Sequence, residues 1–264
     1  MRAALVTGAA HGIGAALAHR LARAGYAVGL LDRDREAACS RAREIEQAGG
    51  VGLALGCDVT DEGECTQQVT RAASELGGID VLVNNAGITH VGRIAETSNA
   101  VLHRVMDVNF FGAVYCTRAA LPSLLERRGC VAAISSVAGF APLATRSGYV
   151  ASKHALRGFF ETLRAEHAGE GLGVTIVFPS FVDTGIGSRA IGPDGGPIDS
   201  AARTGVAHSV GARSAAETIY RGIERRRPIV WVGREARAAW WLHTLAPRSY
   251  RRRMLRRLVM QDFP

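Results

Sequence analysis

Seven short apolar runs recur along the chain, and between them apolar residues return every three or four positions. The runs are Ala3–Thr7, Ala27–Asp32, Gly52–Cys57, Val81–Asn84, Cys130–Ser135, Val174–Phe178 and Ile229–Val232. Each is short and rich in β-branched residues, leucine or alanine, which predicts strands. The stretches near Ile13–Ala24, Arg35–Ala48, Glu62–Leu76, Ala100–Glu126, Tyr149–His167 and Ala215–Arg225 carry the helical period. The early runs are apolar throughout rather than alternating, as in strands buried on both faces of a parallel sheet. This alternation of strand and helix predicts an α/β fold: a doubly wound, mostly parallel seven-stranded sheet with helices on both faces.

One segment breaks the regularity. Gly185–Gly211 contains Gly192-Pro193-Asp194-Gly195-Gly196-Pro197, which cannot form a helix interior or a central strand. It follows the sixth predicted strand, at the carboxyl edge where such sheets bind ligands. A mobile substrate lid over about 185–211 is expected, within one catalytic domain of residues 1–232.

Composition narrows the class. The 264 residues are 47% hydrophobic and 21% charged, enough for one sizeable core and unlike a disordered chain. No apolar stretch approaches the roughly 20 residues that cross a bilayer. The first residues run straight into a strand without the pattern of a signal peptide, so a cytoplasmic protein is expected. Five scattered cysteines include no C-x-x-C pair, so neither a disulfide framework nor a metal site is expected.

The net charge of +8 is concentrated at one end. From Arg225 onward there are eleven arginines against Glu235 and Asp262. Residues 233–264 read as a basic amphipathic helical extension, with Met254, Leu255 and Leu258 on one face. The first reading of that helix is a subunit interface or a solvated surface; peripheral contact with an anionic membrane is the second. No nucleic-acid motif is present, and nucleic acid is not expected as a partner.

The candidate chemistry begins after the first strand, at Thr7-Gly8-Ala9-Ala10-His11-Gly12-Ile13-Gly14. Glycines let backbone N–H groups approach a pyrophosphate, and the following helix supplies partial positive charge. The second strand ends in Asp32, whose carboxylate can accept from both adenosine ribose hydroxyls and repels a 2′-phosphate. This argues for NAD. Arg33 follows at once and leaves NADP open, with His11 a weaker candidate for the same phosphate.

Further along, Tyr149 and Lys153 stand four residues apart on one helical face. A free tyrosine titrates near 10, and an adjacent ammonium favours its phenolate, so the pair suits general acid–base work. All the other basic residues are arginine, so Lys153 marks a place where a compact ammonium is wanted. Ser135 and Ser136 end the fifth strand, where a hydroxyl can polarise a carbonyl.

Together these pieces resemble the classical short-chain dehydrogenases/reductases. The match includes the glycine turn, Cys57-Asp58-Val59-Thr60, Asn84-Asn85-Ala86-Gly87, Asn109, Ser136 and Tyr149-Val150-Ala151-Ser152-Lys153. It covers about residues 1–232. The resemblance implies a Rossmann-type fold and hydride transfer between a nicotinamide cofactor and an alcohol or ketone. It implies that Ser136 binds the substrate oxygen, Tyr149 exchanges the proton, Lys153 binds the nicotinamide ribose and tunes Tyr149, and Asn109 holds a water. It further implies Gly8, His11, Gly12, Ile13 and Gly14 at the phosphates. Asp58 and Val59 would lie at adenine, and Asn85, Ala86 and Gly87 at the adenosine ribose. Pro179, Val182 and Thr184 would lie at the nicotinamide. Ser180 departs from the usual Pro-Gly. The family is usually dimeric or tetrameric, which implies a homodimer or homotetramer.

Val91, Phe140, Leu143 and Phe181 are expected to face the substrate and favour an apolar alcohol or ketone; Arg93 and Arg146 leave room for an acidic substituent. Two other functions remain in view. One is an NADPH-dependent 3-ketoacyl-type reductase acting on a carrier-bound keto group. The other is a catalytically silent dinucleotide-sensing or scaffold protein.

Overall fold

The computed structural model describes residues 1–198 and 209–259, the side chains of 254–259 excepted. Strands β1 (Ala3–Thr7), β2 (Ala27–Asp32), β4 (Val81–Asn84), β5 (Cys130–Ile134) and β6 (Gly173–Pro179) are buried nearly end to end. Two-sided burial is what their unbroken apolar runs demand. With β3 (Val51–Gly56) and β9 (Ile229–Val232) they form one parallel sheet of seven strands, in the order β3-β2-β1-β4-β5-β6-β9. The winding reverses between β1 and β4, where Leu5 pairs with Leu82. Open α/β sheets bind ligands at such a reversal, beyond the carboxyl ends of the strands.

Helices cover both faces. One face packs residues of α3 (Glu62–Glu75), α5 (Gly112–Glu126) and α6 (Ser147–Glu166) against Leu82, Val131 and Ile176. The other packs α1 (Gly12–Arg23), α2 (Arg35–Gln47) and α7 (Ala212–Glu224) against Val6, Val83 and Ile134. Asp34 and Asp61 fix two helix starts by accepting from Ala37 N and Glu64 N, at 3.0 and 2.8 Å.

The structure corrects two expectations. β3 is an edge strand: Val51 is exposed, and most of the strand is only partly buried. The predicted helix 100–126 is interrupted. After α4 (Asn99–Met106) comes a wide π-type turn, Asp107–Phe111, closed by Gly112 N–H bonding to the Asp107 carbonyl five residues back. Of the expected lid, residues 199–208 lie outside the described residues. Its first part is bonded to the neighbouring loops: Ile191 N donates to Thr89 O, Val91 N to Ile191 O and Ser98 N to Pro193 O. The segment rejoins the fold through a two-strand ladder of β7 (Val182–Asp183) and β8 (Val210–Gly211).

The C-terminal extension forms α8 (Arg234–Leu245) and α9 (Pro247–Val259). Trp240 of α8 packs edge-on to Phe140 and 5.3 Å from the Trp231 ring, and Arg157 lies over its ring at 4.9 Å. Edge-on and tilted aromatics and a cation over indole stabilise the junction beyond simple burial. The predicted Met254, Leu255 and Leu258 face lies outside the described side chains. Among the described residues no helix is long and apolar enough to cross a membrane.

Candidate active site

The loops at the carboxyl edge enclose a cleft of about 590 Å³. Its walls include Gly8, His11, Gly12, Ile13, Asp32, Arg33, Asp58, Val59, Asn85, Ala86 and Gly87 on the nucleotide side, and Ser136, Tyr149, Lys153, Pro179, Val182 and Thr184 on the other. The structure therefore brings together residues spread over more than two thirds of the chain.

The glycine turn has the shape a diphosphate needs. Gly8 and Gly12 have positive φ, +62° and +56°, and a β-carbon at Gly8 would lie 2.8 Å from Ala86 Cα. A β-carbon at Gly14 would overlap the Gly8 carbonyl oxygen, so α1 can start this close to the turn only without a side chain there. Asn85 ties the two loops by donating from Nδ2 to Thr7 O and Gly8 O, both at 3.0 Å. Asp32 is also anchored: Oδ2 accepts from Ala10 N at 2.9 Å and Oδ1 from Asp34 N at 3.0 Å. A carboxylate fixed at the end of β2 beside a bare helix N-terminus fits a dinucleotide, ribose on the acid and phosphates on the turn.

At the far end Tyr149 and Ser136 line the cleft together, and the Ser136 hydroxyl favours the Tyr149 phenolate. Ser136 Oγ accepts from Ala138 N at 3.1 Å, which fixes its hydroxyl at the end of β5. Ser135 is the buried neighbour that donates to Lys153 O at 3.3 Å. Of the two serines, only Ser136 meets Tyr149. Lys153 Nζ donates to Ile134 O at 2.8 Å and lies 5.7 Å from the centre of the Tyr149 ring.

The π turn explains Asn109. Widening the helix swings its side chain inward, where Oδ1 accepts from Ile88 N at 2.8 Å and Nδ2 donates to Ile88 O and Ser152 Oγ at 3.0 and 2.9 Å. It thus braces the loop after β4 against α6. Asn109 and Lys153 come together at Gly87, where an added β-carbon would lie 3.2 Å from Asn109 Oδ1 and 3.6 Å from Lys153 Nζ.

The electrostatics add to the sequence expectation. Burial raises the Tyr149 phenol above its usual range, opposed by the Ser136 hydroxyl and the Arg146 charge. Arg146 is therefore a cation that favours the phenolate. Phe140 is a correction: it is buried against Phe178, Trp231 and Trp240 and does not line the cleft. His103, Arg104 and Asp107 reach the cleft from the end of α4 unforeseen. Their helical spacing was visible, but a polar helix face ordinarily reads as solvent-facing.

Comparison with known proteins decides the family. A family model described as short chain dehydrogenase matches residues 2–191. The chain belongs to the short-chain dehydrogenase family. As a member it is an NAD(P)-dependent oxidoreductase. This short-chain dehydrogenase is 35% identical over 260 residues to the Bos taurus dehydrogenase/reductase SDR family member 7B, covering 96% of this chain and 80% of the relative. It is 37% identical over 257 residues to an Anopheles gambiae SDR family protein 7-like, covering 93% and 80%. A Burkholderia phymatum short-chain dehydrogenase/reductase solved in complex with NAD superposes with a TM-score of 0.82, at 25% identity and 92% coverage of both chains. A Thermococcus sibiricus alcohol dehydrogenase complexed with 5-hydroxy-NADP gives 0.77, at 25% identity, covering 88% of this dehydrogenase and 96% of that chain.

Lys153 carries a pH signature. Burial pushes its ammonium down to about 8. In the unfolded chain it titrates near 10.4. Between these values the unfolded state binds more protons, so the Lys153 contribution stabilises the fold as pH rises. From pH 8 to 9.5 the gain is about 1.5 kcal/mol. Lys153→Met lacks that proton. In urea melts of both proteins without cofactor, wild type is expected to gain on the variant by that amount; a difference independent of pH would show that burial does not disfavour the ammonium.

Proposed function

We propose that this dehydrogenase interconverts secondary alcohols and ketones with a largely apolar body, with Tyr149 exchanging the proton. The observation that carries the reading is the convergence at one end of the cleft: Ser136 and Tyr149 line it together, with Lys153 buried alongside. When bound, the cofactor supplies or accepts the hydride. Ser136 donates to the substrate oxygen and holds it at the tyrosine. Tyr149 gives its proton to that oxygen as a ketone is reduced, or takes the proton from an alcohol as it is oxidised. Lys153 and Arg146 offset the phenolate charge. Asn109 keeps the Ile88 loop and α6 in register around these groups.

The apolar preference is supported by Ile88, Val108 and Ile186 in the lining. The anchored Asp32 supports NAD, and Arg33 beside it keeps NADP in play. These assignments are tested by incubating the protein with a panel of secondary alcohols and ketones and each oxidised or reduced dinucleotide, following absorbance of the reduced nicotinamide. Turnover of apolar substrates is expected; preference for sugars, or no turnover with any member, would overturn the reading.

A further inference from the structure

Three polar groups at the start of α6 are short of partners. Ser147 Oγ and His90 Nδ1 are buried without a hydrogen bond, while His90 Nε2 accepts from Gly148 N at 2.9 Å. Arg146, the residue directly before Ser147, caps the start of α6. Its Nη1 donates to Thr89 Oγ1 at 2.9 Å, and among the described residues no carboxylate lies within ion-pair distance of it. Its other N–H groups are not among the buried orphan atoms, so they stay within reach of solvent or ligand. Burial disfavours the charge, and Tyr149 is the group that favours it.

A half-buried guanidinium without a counter-ion loses hydration that no protein carboxylate restores. Guanidinium groups also bind carboxylate and phosphate by paired hydrogen bonds. Arg146 stands at the start of α6, three residues before Tyr149, and is tied to Thr89, the neighbour of Ile88 in the cleft wall, so an anion bound to it lies within about one helical turn of the tyrosine. We propose that Arg146 selects substrates bearing an anionic group, carboxylate or phosphate, next to the reacting carbonyl or carbinol. The inference rests on the reading of Tyr149 given above and adds a charged end to the apolar substrate.

The test compares 2-oxo-4-phenylbutanoate with its ethyl ester, which share a skeleton and differ in charge. Wild type is expected to prefer the acid. Arg146→Gln should lower the acid-to-ester ratio of kcat/KM by about 100-fold, and Arg146→Lys should restore part of it. An electrostatic effect on Tyr149 alone would slow both substrates alike; a ratio unchanged in Arg146→Gln overturns the proposal. Binding separates this from failure of the catalytic reading. With Tyr149→Phe and the reduced dinucleotide bound, nicotinamide fluorescence should report tighter binding of the acid than the ester, lost on adding Arg146→Gln. Equal binding of acid and ester there also overturns the role of Arg146. Acid-selective binding with turnover intact in Tyr149→Phe would instead overturn the role of Tyr149.

Discussion

Tyr149→Phe is expected to bind dinucleotide as wild type does and to lose about 10²–10⁴-fold in kcat. Phenylalanine keeps the ring, so the packing near Lys153 and Arg146 survives. What disappears is the hydroxyl that stands with Ser136 in the cleft wall and with it the path for the proton. Hydride transfer would then have to create or destroy an alkoxide with no acid beside it. The cofactor cradle is built from the glycine turn, Asp32 and the loop after β4, none of which contacts the phenol oxygen. Dinucleotide titration and steady-state rates, measured on the same preparation, separate the two effects. A variant within tenfold of wild-type kcat would remove Tyr149 from the chemistry.

Asp32→Ala is expected to weaken NAD by about 10–100-fold while NADP changes much less. A hydrogen bond to a charged group contributes about 1.5–3 kcal/mol, and one such bond from a ribose hydroxyl accounts for a factor in that range. The substitution also removes the repulsion of a 2′-phosphate and leaves Arg33 unopposed. Ala10 N and Asp34 N lose their acceptor as well, which loosens the turn for both cofactors alike. The ratio of the two dissociation constants is therefore the quantity to measure. An unmoved ratio would place cofactor choice elsewhere, Arg33 first.

Much of this fold was legible in the sequence because the central strands are buried on both faces. A strand with no solvent side must be apolar at every position, and Leu5, Leu82 and Val131 announce it. The glycine turn was legible for a similar reason: positive φ and close backbone approach exclude other residues. The helix through 107–111 was not, because apolar spacing hardly differs between one wide turn and a normal one. Asn109 in an otherwise apolar stretch was the trace it left. Phe140 misled because an aromatic residue after β5 suits either the cleft or the core. Trp240, more than ninety residues away, settles it by packing against the ring. Arg146 was seen as a cation near the substrate. That no acid among the described residues pairs with it depends on loops distant in sequence, and no local pattern carries that.

The wide turn at 107–111 also makes chain length matter in a way composition does not. It holds one residue more than a regular helix would need. Deleting one residue there would let α4 and α5 fuse into a regular helix with nearly the same facing, because the wide turn is what absorbs the extra residue. Cys116, Ala120 and Leu124 would keep their places against the sheet, while Asn109 would lose the widening that holds its side chain against Ile88 and Ser152. Libraries that probe this enzyme by shortening its chain should find a single-codon deletion here folded but impaired at the site, whereas the same deletion within α5 would rotate everything downstream by about 100° and expose the core face.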